Sequence, residues 1–185
     1  GDSAVEASPA QQQTISITDD EANPSVTLST STNSLNEAGA GDNATLTVTM
    51  NPVASSATTV TLALSGTATG GGSDYSIDNT VLTIAAGVAT ATATINAQDD
   101  PYYDDGETII VDINSVSGGN SATESGTQRE ILTFNDNEIQ PTVSLTADSN
   151  SMGETGGSVT LTATLSYANS ASTSVTLGTS GTATN

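Results

Sequence analysis

The sequence predicts an all-β fold, a seven-strand antiparallel sandwich carried in tandem repeat, and three observations predict it. Apolar residues alternate with Thr and Ser at a period of two, and the 3.6-residue helical period is absent. Short alternating runs are separated at regular spacing by turn clusters such as Asn51-Pro52, Gly70-Gly71-Gly72, Ala86-Gly87 and Gly118-Gly119. The chain also repeats itself. Asn23-Pro24-Ser25-Val26-Thr27-Leu28 returns as Gln140-Pro141-Thr142-Val143-Ser144-Leu145, and the two prolines are 117 positions apart. Thr18-Asp19-Asp20-Glu21 returns at the same spacing as Asn135-Asp136-Asn137-Glu138. Ser65-Gly66-Thr67-Ala68-Thr69 returns at Ser180–Thr184 two positions closer, because Glu154-Thr155-Gly156-Gly157 is a shorter turn than Glu37–Asp42.

The repeat sets the domain organisation. Residues 1–22 are expected to be the last strand of a preceding repeat, residues 23–139 one complete repeat, and residues 140–185 the first part of a following, truncated one. A unit of this length buries a core of its own, unlike a solenoid repeat that depends on its neighbours.

Within the complete repeat the elements follow in order. The first strand is expected near residues 25–35 with Val26 and Leu28 inward, and the second near 44–50 with Leu46 and Val48 inward. The third covers 58–64, with Val60, Leu62 and Leu64 on one face, and the fourth about 80–84. The fifth runs over 88–97, where Ala89, Ala91, Ala93 and Ile95 share a face; Thr at every second position argues against a helix there. The sixth covers 108–113 and the seventh about 130–134, with Leu132 and Phe134 inward. Seven such strands match a sandwich of immunoglobulin-like size. With 3% aromatic residues, no Trp and one Phe, its core is built from Val, Ile, Leu and Ala.

Composition removes whole classes of function. The 185 residues hold 21 acids against one cation, Arg129, with no Lys, His or Cys. Phosphate binding needs Lys and Arg, so nucleic acid is excluded as a partner. Disulfides, zinc–thiolate sites and every nucleophile activated by His, Cys or Lys are excluded as well. No run reaches the roughly 18–20 apolar residues of a membrane helix, so direct membrane insertion is not expected. No signal peptide is visible from Gly1, so an export signal is expected upstream on a longer precursor.

The placement of the acids is more informative than their number. When strands alternate direction, the first–second, third–fourth and fifth–sixth connections share one pole with the end of the seventh strand. Glu37, Asp42, Asp74, Asp78, Asp99, Asp100, Asp104, Asp105, Glu107, Asp136 and Glu138 are all assigned to it, eleven of the repeat's fourteen acids. Two like charges about 4 Å apart repel by roughly 1 kcal/mol even in water. Such a cluster is protonated, splayed into solvent, or holds cations. Oxygen donors from several loops suit calcium, whereas zinc and copper favour the absent His and Cys. The competing readings are a solubilising acidic rim and adaptation to high salt. The spacing of Asp99 to Glu107 is not that of an EF-hand loop, which lies between helices.

These residues resemble the Calx-beta family. The resemblance rests on Glu37 with Gly39, on Ser65-Gly66-Thr67-Ala68-Thr69 leading to Ser73-Asp74-Tyr75, and on Gly87. It extends through Ile95 leading to Asp99-Asp100, Asp104-Asp105-Gly106-Glu107-Thr108, and Asn135-Asp136-Asn137-Glu138. It covers residues 23–139 and both partial copies. It implies a β-sandwich that binds calcium through the pole loops, with Glu37, Asp74, Asp99, Asp100, Asp104 and Asp136 at ligand positions. Asp105, Glu107 and Glu138 are further candidates, and Asp19, Asp20 and Glu154 fall at the neighbouring junctions. Asp stands at 104 where the family often has Glu, and Asn at 135 and 137 where it often has Asp.

The expected function is a calcium-binding structural repeat of a secreted or cell-surface stalk, fibre or adhesin, not an enzyme. Calcium would stiffen the junctions between adjacent repeats, and chains would have the option of self-assembly. The alternatives are a calcium-sensor module and, remotely, a glycan hydrolase using Asp99 and Asp104, for which no aromatic sugar platform is present. Tyr75 is expected to pack, the glycines to serve turns, and Asp112 to face solvent. Asn43-Ala44-Thr45 fits a glycosylation sequon in a host that modifies it.

Overall fold

The computed structural model describes residues 1–5, 8, 11–37 and 42–182. Gly39 and the repeated Ala183-Thr184 lie outside the described residues. Among the described residues twelve strands occur in order: β1 (Ser25–Thr30), β2 (Ser34–Asn36), β3 (Asn43–Asn51), β4 (Thr58–Gly66), β5 (Tyr75–Ile77), β6 (Val81–Ile84), β7 (Thr90–Ala97), β8 (Thr108–Gly118), β9 (Thr123–Glu124), β10 (Arg129–Asn135), β11 (Val143–Ala147) and β12 (Leu161–Leu165). The first ten make two five-stranded sheets, ordered β5-β7-β3-β1-β9 and β2-β10-β8-β4-β6. The alternation predicted for the second strand is realised over β3, where Ala44, Leu46, Val48 and Met50 are buried between half-exposed threonines. Phe134, Leu35, Leu46, Ile84, Ile95, Ile109 and Leu132 close the core from both sheets.

Where seven strands were expected, the described residues of the unit form ten. The predicted first strand breaks at Ser31–Asn33. There the Thr30 hydroxyl donates to the Thr32 carbonyl (2.8 Å) and the Thr32 hydroxyl to the Ser34 carbonyl (3.0 Å), local bonds that compete with a strand ladder. After the break β2 crosses to the other sheet and pairs in parallel with β10, Leu35 opposite Phe134. The predicted fourth strand is β6, and ahead of it the chain forms an unforeseen short strand, β5, on the other sheet. Asp78 accepts from Thr94 N at 2.9 Å and Asn79 from Val81 N at 2.9 Å, which turns the chain between β5 and β6. The third difference is β9, a two-residue edge beside β1.

Arg129 bonds Asp112 across β10 and β8 at 2.7 Å, so Asp112 is paired rather than solvated alone. Gly66 sits where the chain leaves β4 against β8. Its φ is +124°, and a Cβ there would lie 2.1 Å from the Thr108 carbonyl oxygen.

The strands β11 and β12 form a separate hairpin whose register matches β1 on β3. Val143 faces Leu165 as Val26 faces Met50, and Leu145 faces Ala163 as Leu28 faces Val48. The matching hydroxyl bonds recur: Ser144 to the Thr164 carbonyl and Thr146 to the Thr162 carbonyl, as Thr27 to Thr49 and Ser29 to Thr47.

Candidate metal centre

The fold converges its acids from four places: the end of β2, the approach to β5, the β7–β8 loop and the end of β10. Each is held by the backbone around it. Glu37 follows β2, and its N–H donates to the Asn135 carbonyl at 3.0 Å, which locks it beside the end of β10. Asp74 precedes β5; its N–H donates to Thr69 O (3.1 Å), its carboxylate accepts from Thr69 N, and its carbonyl accepts from Gln98 N (2.9 Å). Asp104 N–H donates to Asp136 Oδ2 at 2.5 Å. Phe134 N–H donates to the Glu107 carbonyl at 2.8 Å, and Gly106 N–H to the Phe134 carbonyl at 3.3 Å. The backbone of Phe134 therefore pins the loop that its buried ring underlies, and Tyr75, the other aromatic of the core, stacks on that ring with centroids 6.3 Å apart.

The result is two adjoining trios of carboxylates, Glu37–Asp136–Glu138 and Asp74–Asp104–Glu107, each with oxygens within 4.8 Å of one another. Glu37 is 3% exposed and Asp74 7% exposed. Glu37 Oε2 and Glu107 Oε2, one from each trio, are buried without a hydrogen-bond partner. A buried polar oxygen left unpaired costs roughly 1–3 kcal/mol, more when charged. Burial first, and then the charges of Asp104, Asp136, Asp100 and Asp74, push the Glu37 carboxyl up to about 8. Burial and the charges of Asp100, Asp136 and Asp74 raise Asp104 to about 6. Glu107 rises to about 7 through burial and its shared hydrogen bond with Asp74. Glu138 rises to about 7 mainly through its hydrogen bond with Asp136. Carboxyls in such a site need either protons or a cation. The donor set is oxygen alone, from four segments, and fits a hard cation such as calcium.

The other predicted residues take definite places. Asp99 and Asp100 flank the trios, and their charges act on Glu138; Asp100 also acts on Glu37, Asp104 and Glu107. Asp100 turns one oxygen back to Tyr102 N at 2.8 Å. The Asn137 side-chain amide, with its NH₂ toward the carboxylates, donates to Asp99 Oδ1 (3.2 Å) and Glu138 Oε2 (3.1 Å). Asp105 is exposed and accepts from Asp136 N at 3.4 Å. Two acids assigned to this pole stay outside the trios and hold neighbouring segments instead. Asp42 holds Asn36 through its backbone N (2.6 Å) and side-chain amide (2.8 Å), and Asp78 caps Thr94 farther down β7. Asp19 and Asp20 precede β1 at the opposite end, where Asp19 lines a crevice with Pro52 and Asn120. Glu154 lies exposed in the turn between β11 and β12.

Sequence patterning did not reveal the bracing role of Asn137 or the contact of Asp74 with Thr69. Both depend on loop conformation, and only the proximity of Asn137 to Asp136 and Glu138 hinted at the first.

The Calx-beta domain model matches residues 19–138. Among solved structures, the apo-form Calx CBD1 domain is 16% identical with a TM-score of 0.49, over 61% of this chain and 98% of that one. CBD12 from CALX1.2 is 13% identical with a TM-score of 0.47, over 74% of this chain and 66% of that one. A two-domain protein of unknown function from Bacteroides fragilis is 11% identical with a TM-score of 0.45, over 69% and 56%. No curated protein matches the chain. On the family-model match, which takes in all four acid-bearing segments, the chain belongs to the Calx-beta domain family.

Proposed function

We propose that residues 23–139 are a calcium-binding structural repeat in a tandem array, a module of a secreted or cell-surface stalk, fibre or adhesin. The observation that carries this reading is the pair of buried, unpartnered oxygens, Glu37 Oε2 and Glu107 Oε2, facing all-carboxylate trios. Family membership supports the choice of calcium. Glu37, Asp74, Asp104, Glu107, Asp136 and Glu138 would hold the cation, with Asp99, Asp100 and Asp105 adding charge around it. The bound cation supplies positive charge where the fold has gathered negative charge.

The chain's own residues carry that event to the junction. Asp136 and Glu138 continue β10 directly into Ile139-Gln140-Pro141 and the next unit. Drawing them onto Glu37 and the β7–β8 loop fixes the direction in which the linker leaves. The shared register of β11–β12 and β1–β3 supports reading residues 140–185 as the start of a following repeat. Residues 1–22 read as the end of a preceding one. With neither His, Cys nor Lys in the chain, a binding role accords with the family better than catalysis.

Small-angle X-ray scattering of the full chain, with calcium and with chelator, tests the junction. A longer, narrower distribution of interatomic distances with calcium supports stiffening. Identical curves in a protein that binds calcium would remove the stalk mechanism.

A further inference from the structure

At the end of the complete unit, the β7–β8 loop touches the start of the next one. Tyr103 makes a parallel β-bridge with Asn169 in the loop after β12. A crevice lies between Tyr103, Asp104 and Asp105 on one side and Pro141, Asn169 and Ser170 on the other. The loop therefore has two faces: Asp104 belongs to a carboxylate trio, while its neighbour Tyr103 grips the next unit.

The shared register places the counterparts of that receiving surface on the complete unit itself. Pro141 corresponds to Pro24, Asn169 to Ala54 and Ser170 to Ser55. Pro24, Ala54 and Ser55 line a second crevice, at the pole away from the acids, together with Val53 and Asn120. Its rim is built rather than loose. Asn120 Oδ1 accepts from Ser55 Oγ (3.1 Å), Ser56 N (3.2 Å) and Ser56 Oγ (3.1 Å), and Asn120 N donates to Ser56 Oγ (3.2 Å). Val53 stands 51% exposed beside it. Asp19 and Glu21 also line this crevice, and they correspond to Asp136 and Glu138 of the acidic pole.

We propose that this second crevice is a socket, and that its occupant is the Tyr103-bearing acidic loop of another copy of the same unit lying immediately upstream. Each unit then presents a plug at its acidic pole and a socket at the other. Such a contact is head-to-tail, one surface meeting a different one, so each unit is left with a free plug or socket for the next along an array. The proposal rests on the tandem reading of residues 23–139 and adds to it a direct protein contact at each junction.

The chain contains no cysteine, so an introduced pair meets no native thiol, and dilute protein keeps oxidation within one molecule. In the full chain, Tyr103→Cys with Ser170→Cys tests the junction already present. In a chain carrying residues 23–139 twice in succession, Tyr103→Cys in the first copy and Ser55→Cys in the second test the socket. Both pairs are expected to close to a disulfide under air oxidation, because neighbours of a bridged pair lie within the roughly 7 Å Cα separation a disulfide tolerates. The same Tyr103→Cys paired with Ser115→Cys, on β8, is expected to stay reduced. Closure of the first pair but not of the second overturns the socket, as does equal closure with Ser115→Cys. Calcium calorimetry on the same duplicated protein reports separately on metal binding, so failure of the socket and failure of the calcium reading are told apart.

Discussion

Calcium binding should release protons, and the number follows from the site. At pH 7 a carboxyl raised to about 8, as Glu37 is, carries about nine-tenths of a proton. Glu107 and Glu138, raised to about 7, carry about half a proton each, and Asp104, raised to about 6, about a tenth. A cation that takes all four as carboxylates therefore displaces about two protons at pH 7, shared among interacting groups rather than owned by single residues. At pH 9 the same reckoning leaves about a tenth of a proton on Glu37 and almost none elsewhere. The assay is titration calorimetry in buffers of differing ionisation enthalpy, where the slope of observed against buffer enthalpy counts the protons. A slope near two at pH 7 that vanishes by pH 9 is expected. Binding with zero slope at pH 7 would refute the placement of these four carboxyls around the ion.

Three further outcomes rest on the same geometry. Glu37→Gln removes a buried charge with an unpartnered oxygen, so the calcium-free variant should melt higher than the parent at pH 9 while binding calcium at least about tenfold more weakly, which calorimetry reads as about 1.4 kcal/mol. The calcium-free protein should lose stability as pH rises from about 4.5 to about 8. Over that window the folded state holds protons on Glu37, Glu107 and Glu138 that the unfolded chain has shed, so unfolding free energy falls with pH; chelated samples melted across the range check the sign. Phe134→Ala should cost about 3–5 kcal/mol in denaturant unfolding by opening a cavity under Tyr75. It should also weaken calcium binding, because the backbone of residue 134 holds the β7–β8 loop at Gly106 and Glu107.

Much of the fold was legible because β structure writes burial with a period of two. Leu46 and Val48 between threonines specified both the strand and its inward face, and the buried pattern of β3 agrees with them. What the period does not encode is where a strand changes sheet. Val26 and Leu35 read as one strand, yet hydroxyl bonds at Thr30 and Thr32 end β1 and send β2 to β10. That crossing matters for the site, since it carries Glu37 to the end of β10. Strand polarity alone brought Glu37, Asp74, Asp104 and Asp136 to one pole. It could not distinguish an acid that faces the cluster from one that caps a backbone, which is why Asp42 and Asp78 were grouped with the others. Glu107 and Glu138 belong to the trios because loop conformation turns them inward, and no spacing in the sequence specifies that.

The central claim is that the two carboxylate trios hold calcium, and a calcium titration of the chelator-stripped full chain, with thermal melts of the same samples, tests it most directly. Saturable heat, a raised melting temperature, and loss of both in Glu37→Gln/Asp136→Asn are the predicted result. No heat and no melting shift at millimolar calcium, in a folded protein, would contradict it and leave the trios as an acidic cluster without a metal role.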